Sequence, residues 1–163
     1  NLRRAYQKVA RVAETAAHVR RDWQHKLSTS LVRENQVIAM EDLNVRGMTA
    51  SARGTIDDPG KKVRQKAGLN RSILKVGFYE LQRQIVYKAH WAGRSVVKID
   101  RWYPSSKRCS ACGHTLTTLA LHQRRWRCPV CQTMHDRDEN AAKNILAAGK
   151  AELAGASQLR IHE

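Results

Sequence analysis

The stretch Val37-Ile-Ala-Met-Glu-Asp42 decides the fold class of this chain. Its four apolar residues follow one another without alternation, which predicts a short strand over Gln36–Met40 that is buried on both faces. Such strands are typical of the parallel sheets of α/β proteins. Glu41 and Asp42 come next, at the carboxyl end of the strand, where α/β folds usually place their functional sites.

A long helix is predicted before this strand. From Leu2 to about Leu31 apolar residues recur at intervals of three and four, which is typical of one face of an amphipathic helix. The opposite face is mostly basic, which fits either a solvated surface or one that faces nucleic acid. We expect the apolar face to be buried, and it comprises Leu2, Tyr6, Val9, Val12, Ala13, Ala16, Val19, Trp23 and Leu27.

The segments after the strand alternate between loop, helix and strand. Residues 44–69 lack periodicity and carry several glycines and basic residues, which predicts a long loop. A second helix is expected from Asn70 to Gly93, where the glycine suits the left-handed position past a helix end. A second strand is expected over Ser95–Asp100, and a third helix over Asp136–Lys150.

The net charge of the chain indicates which class of partner it binds. The 163 residues include 30 Lys and Arg against 14 Asp and Glu, a formal net charge of +16. Nucleic acid is the commonest intracellular polyanion that would balance such an excess. No apolar run approaches the roughly 18 residues of a membrane span, and no signal peptide pattern is present. We therefore expect a cytoplasmic protein with no membrane partner.

All four cysteines fall in one pattern, Cys109-x2-Cys112 followed after fifteen residues by Cys128-x2-Cys131. This spacing is typical of a zinc site, because each pair can turn both thiolates toward one tetrahedral ion. Two disulfides or four free thiols are the alternatives. A zinc ion with four cysteine ligands is structural as a rule.

The residues around the cysteines suggest further roles. We expect His114 and His135 to lie at the surface or contact phosphates rather than bind the metal, and Trp126 to pack over the zinc loop as core. Between Arg101 and His135 there is no acidic residue, and basic side chains stand beside aromatic ones, as in proteins that grip phosphates and stack on bases. The predicted nucleic-acid contacts are Arg101, Lys107, Arg108, Arg124, Arg125 and Arg127.

The acidic residues near the predicted strand and helix ends allow two interpretations. Glu41 and Asp42 are neighbours on a strand, so only one can enter a given site. Asp136 with Glu139 fits a helix cap, which leaves Asp138 in the first helical turn. From the residues alone, helix capping and hydration of the strand end account for these acids as well as a catalytic role does.

Three motifs resemble one family. They are Val37-Ile-Ala-Met-Glu-Asp-Leu-Asn-Val-Arg-Gly-Met48, the ribbon that begins Ser105-Ser-Lys-Arg-Cys-Ser-Ala-Cys-Gly113, and His135-Asp-Arg-Asp-Glu-Asn-Ala-Ala-Lys-Asn-Ile145. In this order they closely resemble the C-terminal half of the OrfB/TnpB transposon proteins, the compact relatives of type V CRISPR effectors. The resemblance runs from about residue 1 to residue 150.

The resemblance implies an α/β fold, namely part of an RNase H-like (RuvC) nuclease domain with an inserted zinc ribbon. The expected divisions are 1–100 and 136–163 for the nuclease part and 101–135 for the ribbon. In the family this domain belongs to an RNA-guided endonuclease that cuts target DNA, so the implied partners are DNA and a guide RNA. By motif, Glu41 corresponds to the second catalytic acid and Asp138 to the third.

Such a site needs several carboxylates, because two Mg²⁺ or Mn²⁺ ions must lie about 4 Å apart. We expect Glu41 and Asp138 to lie within about 8 Å of each other, since both must reach these ions. The first catalytic Asp of the family has no counterpart here, and Asp22, inside the first helix, cannot replace it. We therefore expect a truncated piece that binds nucleic acid without cutting it. The alternative is a stand-alone zinc-ribbon regulatory protein in which Glu41 and Asp138 are structural.

Overall fold

The structure is a computed structural model that describes residues 2–159. Residue 1 and the end of the predicted C-terminal tail, 160–163, lie outside the described residues. Within them the chain forms two compact units, one of residues 2–36 and 44–94 and the other of residues 37–43 and 95–159. The elements are α1 (Leu2–Glu34), β1 (Val37–Glu41), α2 (Val45–Met48), α3 (Val63–Val76), α4 (Phe78–Trp91), β2 (Ser95–Ile99), β3 (Arg125–Arg127), β4 (Met134–Asp136) and α5 (Arg137–Leu159).

The first unit is held together by α1 and α4, which pack through a mixture of apolar and polar side chains. The two helices are in contact, and Val32 of α1 and Ile85 and Ala89 of α4 are buried. So are Ser28 and Gln84, whose side chains lie 3.1 Å apart with the hydroxyl donating to the amide oxygen. Because the buried polar groups are hydrogen-bonded to one another, they do not bear the full cost of losing water.

The predicted burial of the whole apolar face of α1 is wrong. Leu2, Tyr6, Val9, Val12, Val19 and Trp23 are 54–71% exposed, and the buried residues of α1 are Gln24, Ser28 and Val32. Helix α1 has 33 residues and α4 has 14, so at about 1.5 Å per residue α4 can cover less than half of α1. Amphipathic spacing predicted the helix correctly, but it could not show how much of that helix has a partner.

The segment predicted as a loop, 44–69, contains more helix than expected. Helix α2 occupies Val45–Met48, and α3 already begins at Val63. The second predicted helix, from Asn70 to Gly93, is in fact two helices that break at Gly77. Gly77 adopts φ +70°, and Gln24 Nε2 donates to its carbonyl oxygen at 3.0 Å. A Cβ at this position would lie 2.6 Å from that amide nitrogen, so both the backbone angle and the close contact favour glycine.

The end of the second helical segment is confirmed. Gly93 adopts φ +64° just after α4, and Arg94 N donates to Ala89 O at 2.8 Å. This is the left-handed end that satisfies the last helical carbonyls.

The second unit contains both predicted strands, and they pair in parallel, which confirms a fold that mixes helices with parallel strands. Strands β1 and β2 pair from Val37 with Ser95 to Glu41 with Ile99, and α5 packs against both. The residues of β1 are half-buried instead of buried on both faces, because within residues 2–159 the strand pairs only with β2. No helix among these residues has the length and apolar content that a membrane span requires.

Gly149 fixes how closely α5 approaches β1. A Cβ added at Gly149 would lie 2.8 Å from the Cβ of Ala39, whereas one added at Gly155 meets nothing within 4 Å. The same substitution at the two glycines therefore separates helix propensity from packing.

We expect Gly149→Ala to lower the free energy of unfolding by about 1–3 kcal/mol relative to Gly155→Ala, because overpacking forces the helix away from the strand. Both variants gain the same intrinsic preference of alanine for helix. Urea unfolding followed by circular dichroism measures the difference. Equal stabilities would show that α5 does not pack this closely on β1.

Candidate functional site

The four cysteines converge in the second unit. Their Sγ atoms all lie within 4.8 Å of one another, and two pairs, Cys109 with Cys131 and Cys112 with Cys128, are 3.6 Å apart. Disulfide sulfurs would be about 2 Å apart, so the disulfide alternative does not apply. Four sulfurs around one tetrahedral ion, each at about 2.3 Å, would be about 3.8 Å apart. The cluster therefore has the size to hold a single metal ion.

Both cysteine pairs sit on the same kind of backbone turn. In the first, Gly113 N donates to Cys109 O at 2.9 Å, and Cys109 N donates to His114 O at 2.7 Å. In the second, Gln132 N donates to Cys128 O at 3.0 Å. Gly113 and Gln132 occupy the same place in the two turns, and both have positive φ, 79° and 62°. Glycine adopts this backbone angle readily, whereas Gln132 adopts it despite its side chain.

Thr133 favours the thiolate form that a metal ion needs. Its Oγ1 lies 3.2 Å from Cys131 Sγ, and hydrogen bonding with its side chain and backbone holds the pKa of Cys131 below the usual range for a thiol. Metal ions bind the deprotonated thiol, so a lowered pKa reduces the cost of losing the proton.

His135 is buried beside the cluster, which corrects its predicted place at the surface. It is 7% exposed, and its Nε2 lies 3.0 Å from Cys109 Sγ. Strand β4 pairs with β3 so that His135 stands opposite Trp126, and the two ring centroids are 4.7 Å apart. Trp126 is 3% exposed, which confirms its prediction as core. The short β4 strand turns His135 inward, and that pairing could not be predicted from the single sequence.

Glu41 lies at the carboxyl end of β1 and is half-buried. Its Oε1 accepts a hydrogen bond from Ser105 Oγ at 2.8 Å. The neighbouring Asp42 is engaged differently, since its Oδ2 lies 2.5 Å from Arg101 Nη2. Glu41, the last residue of β1, and Asp42, the residue after the strand, therefore have different partners.

Asp138 lies in the first turn of α5, and Asp136 caps that helix. Asp136 Oδ1 accepts from the backbone nitrogens of Asp138 and Glu139 at 3.0 and 3.2 Å, which confirms the predicted capping role. Asp138 itself is 80% exposed, and its Oδ2 lies 3.7 Å from Arg124 Nη1. Its closeness to Glu41 stays a prediction. Within residues 2–155, only the four cysteines bring together three or more His, Cys, Asp or Glu ligand atoms.

Two of the six predicted nucleic-acid contacts, Arg101 and Arg124, form the ion pairs just described. Arg125 and Arg127 are exposed on β3, on the side of the strand opposite buried Trp126. Lys107 Nζ donates to the Thr117 carbonyl at 3.2 Å, and Arg108 is exposed. All six lie in the second unit, where their contacts with nucleic acid stay a prediction.

Comparison with known proteins decides the family. A family model described as a probable transposase, OrfB, matches residues 1–52, and one described as a Cas12f1-like TNB domain matches residues 78–145. The chain is 44% identical over 154 residues to the putative RNA-guided DNA endonuclease InsQ of Escherichia coli K12. The chain belongs to the OrfB/TnpB family.

A second relative supports the same family. This OrfB/TnpB chain is 43% identical over 160 residues to a putative RNA-guided DNA endonuclease of Streptomyces pristinaespiralis. The matches cover 94% and 98% of this chain, but it spans only 38% and 36% of the lengths of the E. coli and Streptomyces proteins. The fold is similar to the cryo-EM structure of the Cas12f1–sgRNA–target DNA complex, with a TM-score of 0.60, 19% identity and coverage of 84% of this chain and 36% of that chain.

Sequence reasoning missed two asparagines of this OrfB/TnpB chain. Asn140 and Asn144 are 2% and 4% exposed, and each side-chain amide donates to the carbonyls of Ser105 and Arg108. The available signal was their spacing of four residues, which places two amides on one face of an otherwise Ala- and Leu-rich helix. Buried amides at such spacing predict a shared backbone target.

We expect Cys109→Ser to unfold the ribbon from about Arg101 to Gln132 while α1 stays helical, because the folding energy of such small sites is largely metal-binding energy. Amide hydrogen exchange would show lost protection in the ribbon alone. Thr118→Ala, an exposed substitution in the same ribbon, serves as the control. Retained protection around Cys109 in the serine variant would contradict a metal-dependent ribbon.

Proposed function

We propose that this chain is the portion of a transposon-associated, RNA-guided DNA endonuclease that carries two acids of a RuvC-like site and a zinc ribbon. One observation carries the proposal: a single compact unit holds Glu41 at a strand end, Asp138 in a first helical turn, and the four cysteines. The names of the E. coli and Streptomyces relatives support the same activity.

We propose that the strands and α5 form part of an RNase H-like fold, with the nuclease part at 1–100 and 136–163 and the ribbon at 101–135. The parallel β1–β2 pair covered by α5 supports this, because a helix packed on parallel strands is the layer arrangement of α/β folds. The ribbon follows β2 and ends at β4, directly before α5.

The chemistry proposed for Glu41 and Asp138 is binding of Mg²⁺ or Mn²⁺. Carboxylate oxygens are the ligands that these ions prefer, and when bound the ions would activate water and stabilise the leaving oxygen of the phosphodiester. Glu41 supplies a carboxylate whose Oε1 accepts a hydrogen bond from Ser105 Oγ. Asp138 supplies one beside Arg124, whose guanidinium can neutralise it until a divalent ion takes that place.

For the cysteine cluster we propose zinc in a structural role. Four cysteine ligands leave no open position for a reacting water. We propose DNA and a guide RNA as partners, and the cytoplasm as location, because the proposed substrate is intracellular nucleic acid.

A second candidate is nucleic-acid binding without catalysis, by a stand-alone zinc-ribbon regulatory protein. The exposed pair Arg125 and Arg127 on β3 favours it, because a small ribbon can contact phosphates with such side chains alone. The cleavage experiment below separates the two candidates.

We expect one zinc per chain, bound at about 2.3 Å by Cys109, Cys112, Cys128 and Cys131. Elemental analysis of protein purified under reducing conditions measures the stoichiometry, and X-ray absorption measures the distance. Iron, or less than about half an equivalent of zinc, would overturn the assignment.

We expect affinity for nucleic acid to fall steeply between about 50 and 200 mM salt, because binding releases counterions from the phosphates. Replacing Arg124 and Arg125 with Ala should reduce the slope of log K against log salt by about two units, one for each lost phosphate contact. Lys150→Ala, an exposed change on α5, should have a smaller effect. A slope that the double variant leaves unchanged would remove these arginines from the interface.

We expect the 163-residue chain to show little Mg²⁺-dependent cleavage, since the first acid of the family has no counterpart in it. In a full-length protein that contains this chain, Glu41→Ala or Asp138→Ala should reduce guided cleavage about a hundredfold or more, since each removes a metal ligand. Target binding should persist, and Glu152→Gln on the exposed side of α5 is the control. Full cleavage by both alanine variants would remove Glu41 and Asp138 from the active site, whereas target binding without any cleavage by the unchanged protein would favour the binding protein.

A further inference from the structure

Two buried asparagines of α5 hold one short segment of backbone. Asn144 Nδ2 donates to the carbonyls of Ser105 and Arg108 at 2.8 and 2.6 Å, and Asn140 Nδ2 donates to the same carbonyls at 3.3 and 2.7 Å. Both amides are nearly inaccessible to water. Four charge-neutral hydrogen bonds to two carbonyls fix the turn 105–108 against the helix.

The two asparagines, which we call the asparagine clamp, also contact the cysteine turn. Asn140 Oδ1 accepts from Ser110 N at 3.0 Å, while its Nδ2 donates to Arg108 O. Asn140 is therefore hydrogen-bonded to the backbone on both sides of Cys109, and Cys109 itself is only 1% exposed. Hydrogen bonds from α5 therefore help to set the position of the first cysteine turn.

The other end of the turn touches the predicted catalytic acid. Ser105 is 7% exposed, and its hydroxyl donates to Glu41 Oε1 at 2.8 Å. Its backbone carbonyl accepts from Asn140 and Asn144, so the backbone that carries the hydroxyl is held in place. A buried donor at this distance favours the carboxylate orientation in which Oε1 faces it.

We propose that Ser105 is a positioning residue for Glu41, and that the clamp of Asn140 and Asn144 makes the cysteine ribbon part of the divalent-ion site. The proposal rests on the proposed function, because it assigns Glu41 to a divalent ion. Residues that orient a metal-binding carboxylate typically contribute 10–100-fold to metal affinity. The ribbon then has a role in cleavage besides any contact it makes with nucleic acid.

The test measures Mn²⁺ affinity by electron paramagnetic resonance on a zinc-loaded full-length protein that contains this chain, because the first acid of the family has no counterpart in these 163 residues. We expect Glu41→Gln to remove the tightest site, and Ser105→Ala to weaken that site by about 10-fold or more. Ser105→Thr keeps the hydroxyl and should bind close to the unchanged chain. Ser106→Ala removes the same atom from the adjacent residue and should have no effect. Zinc content and circular dichroism confirm that each variant is folded.

A double variant tests the clamp. If Asn144 acts through Ser105, then Asn144→Ala weakens Mn²⁺ binding, and adding Ser105→Ala weakens it little further. Additive effects would mean that Asn144 is merely structural and would overturn the clamp.

The outcomes distinguish failure of the metal role of Glu41 from failure of the positioning role of Ser105. If Glu41→Gln leaves Mn²⁺ affinity unchanged, the metal role in the proposed function fails, and the positioning role fails with it. If Glu41→Gln weakens binding but Ser105→Ala matches Ser106→Ala, only the positioning role is overturned.

Discussion

The second unit depends on the hydrogen bonds by which two asparagines of α5 hold the turn 105–108. Helix α5 packs on both strands of the parallel pair, and its backbone comes so close to β1 that Gly149 cannot carry a side chain without displacement. From the same helix, Asn140 and Asn144 hold the backbone next to Cys109. One helix thus fixes both the strand that ends in Glu41 and the turn that begins the cysteine cluster.

Polar groups supply much of the specificity in a chain with few large apolar residues. Gln24, Ser28 and Gln84 are almost fully buried in the first unit, as are Asn140 and Asn144 in the second. Each finds a hydrogen-bond partner, so burial costs little, whereas a mispaired arrangement would leave an unsatisfied group. Such networks favour one packing arrangement over its alternatives, even where they add little net stability.

Two ion pairs in the second unit join basic residues of the ribbon to acidic residues. Arg101 pairs with Asp42, the residue next to Glu41, and Arg124 lies 3.7 Å from Asp138, so basic residues of the ribbon face both parts of the proposed site. The first pair is partly exposed and the second largely exposed, and such pairs contribute little to stability. Their effect is local, because they decide which acids stay close to a guanidinium until a divalent ion or a phosphate competes for it.

The sequence by itself determined the features that depend on neighbours along the chain. Spacing of two residues predicted that the cysteines form one cluster, apolar runs predicted β1 and β2, and Asp136 was predicted as a helix cap, because each of these is a local pattern. The tertiary structure alone decided that His135 turns toward Cys109, that α1 leaves most of its apolar face exposed, and that Ser105 reaches Glu41. These contacts join residues 26 to 64 positions apart or depend on the length of a partner helix, and no local periodicity encodes such pairings.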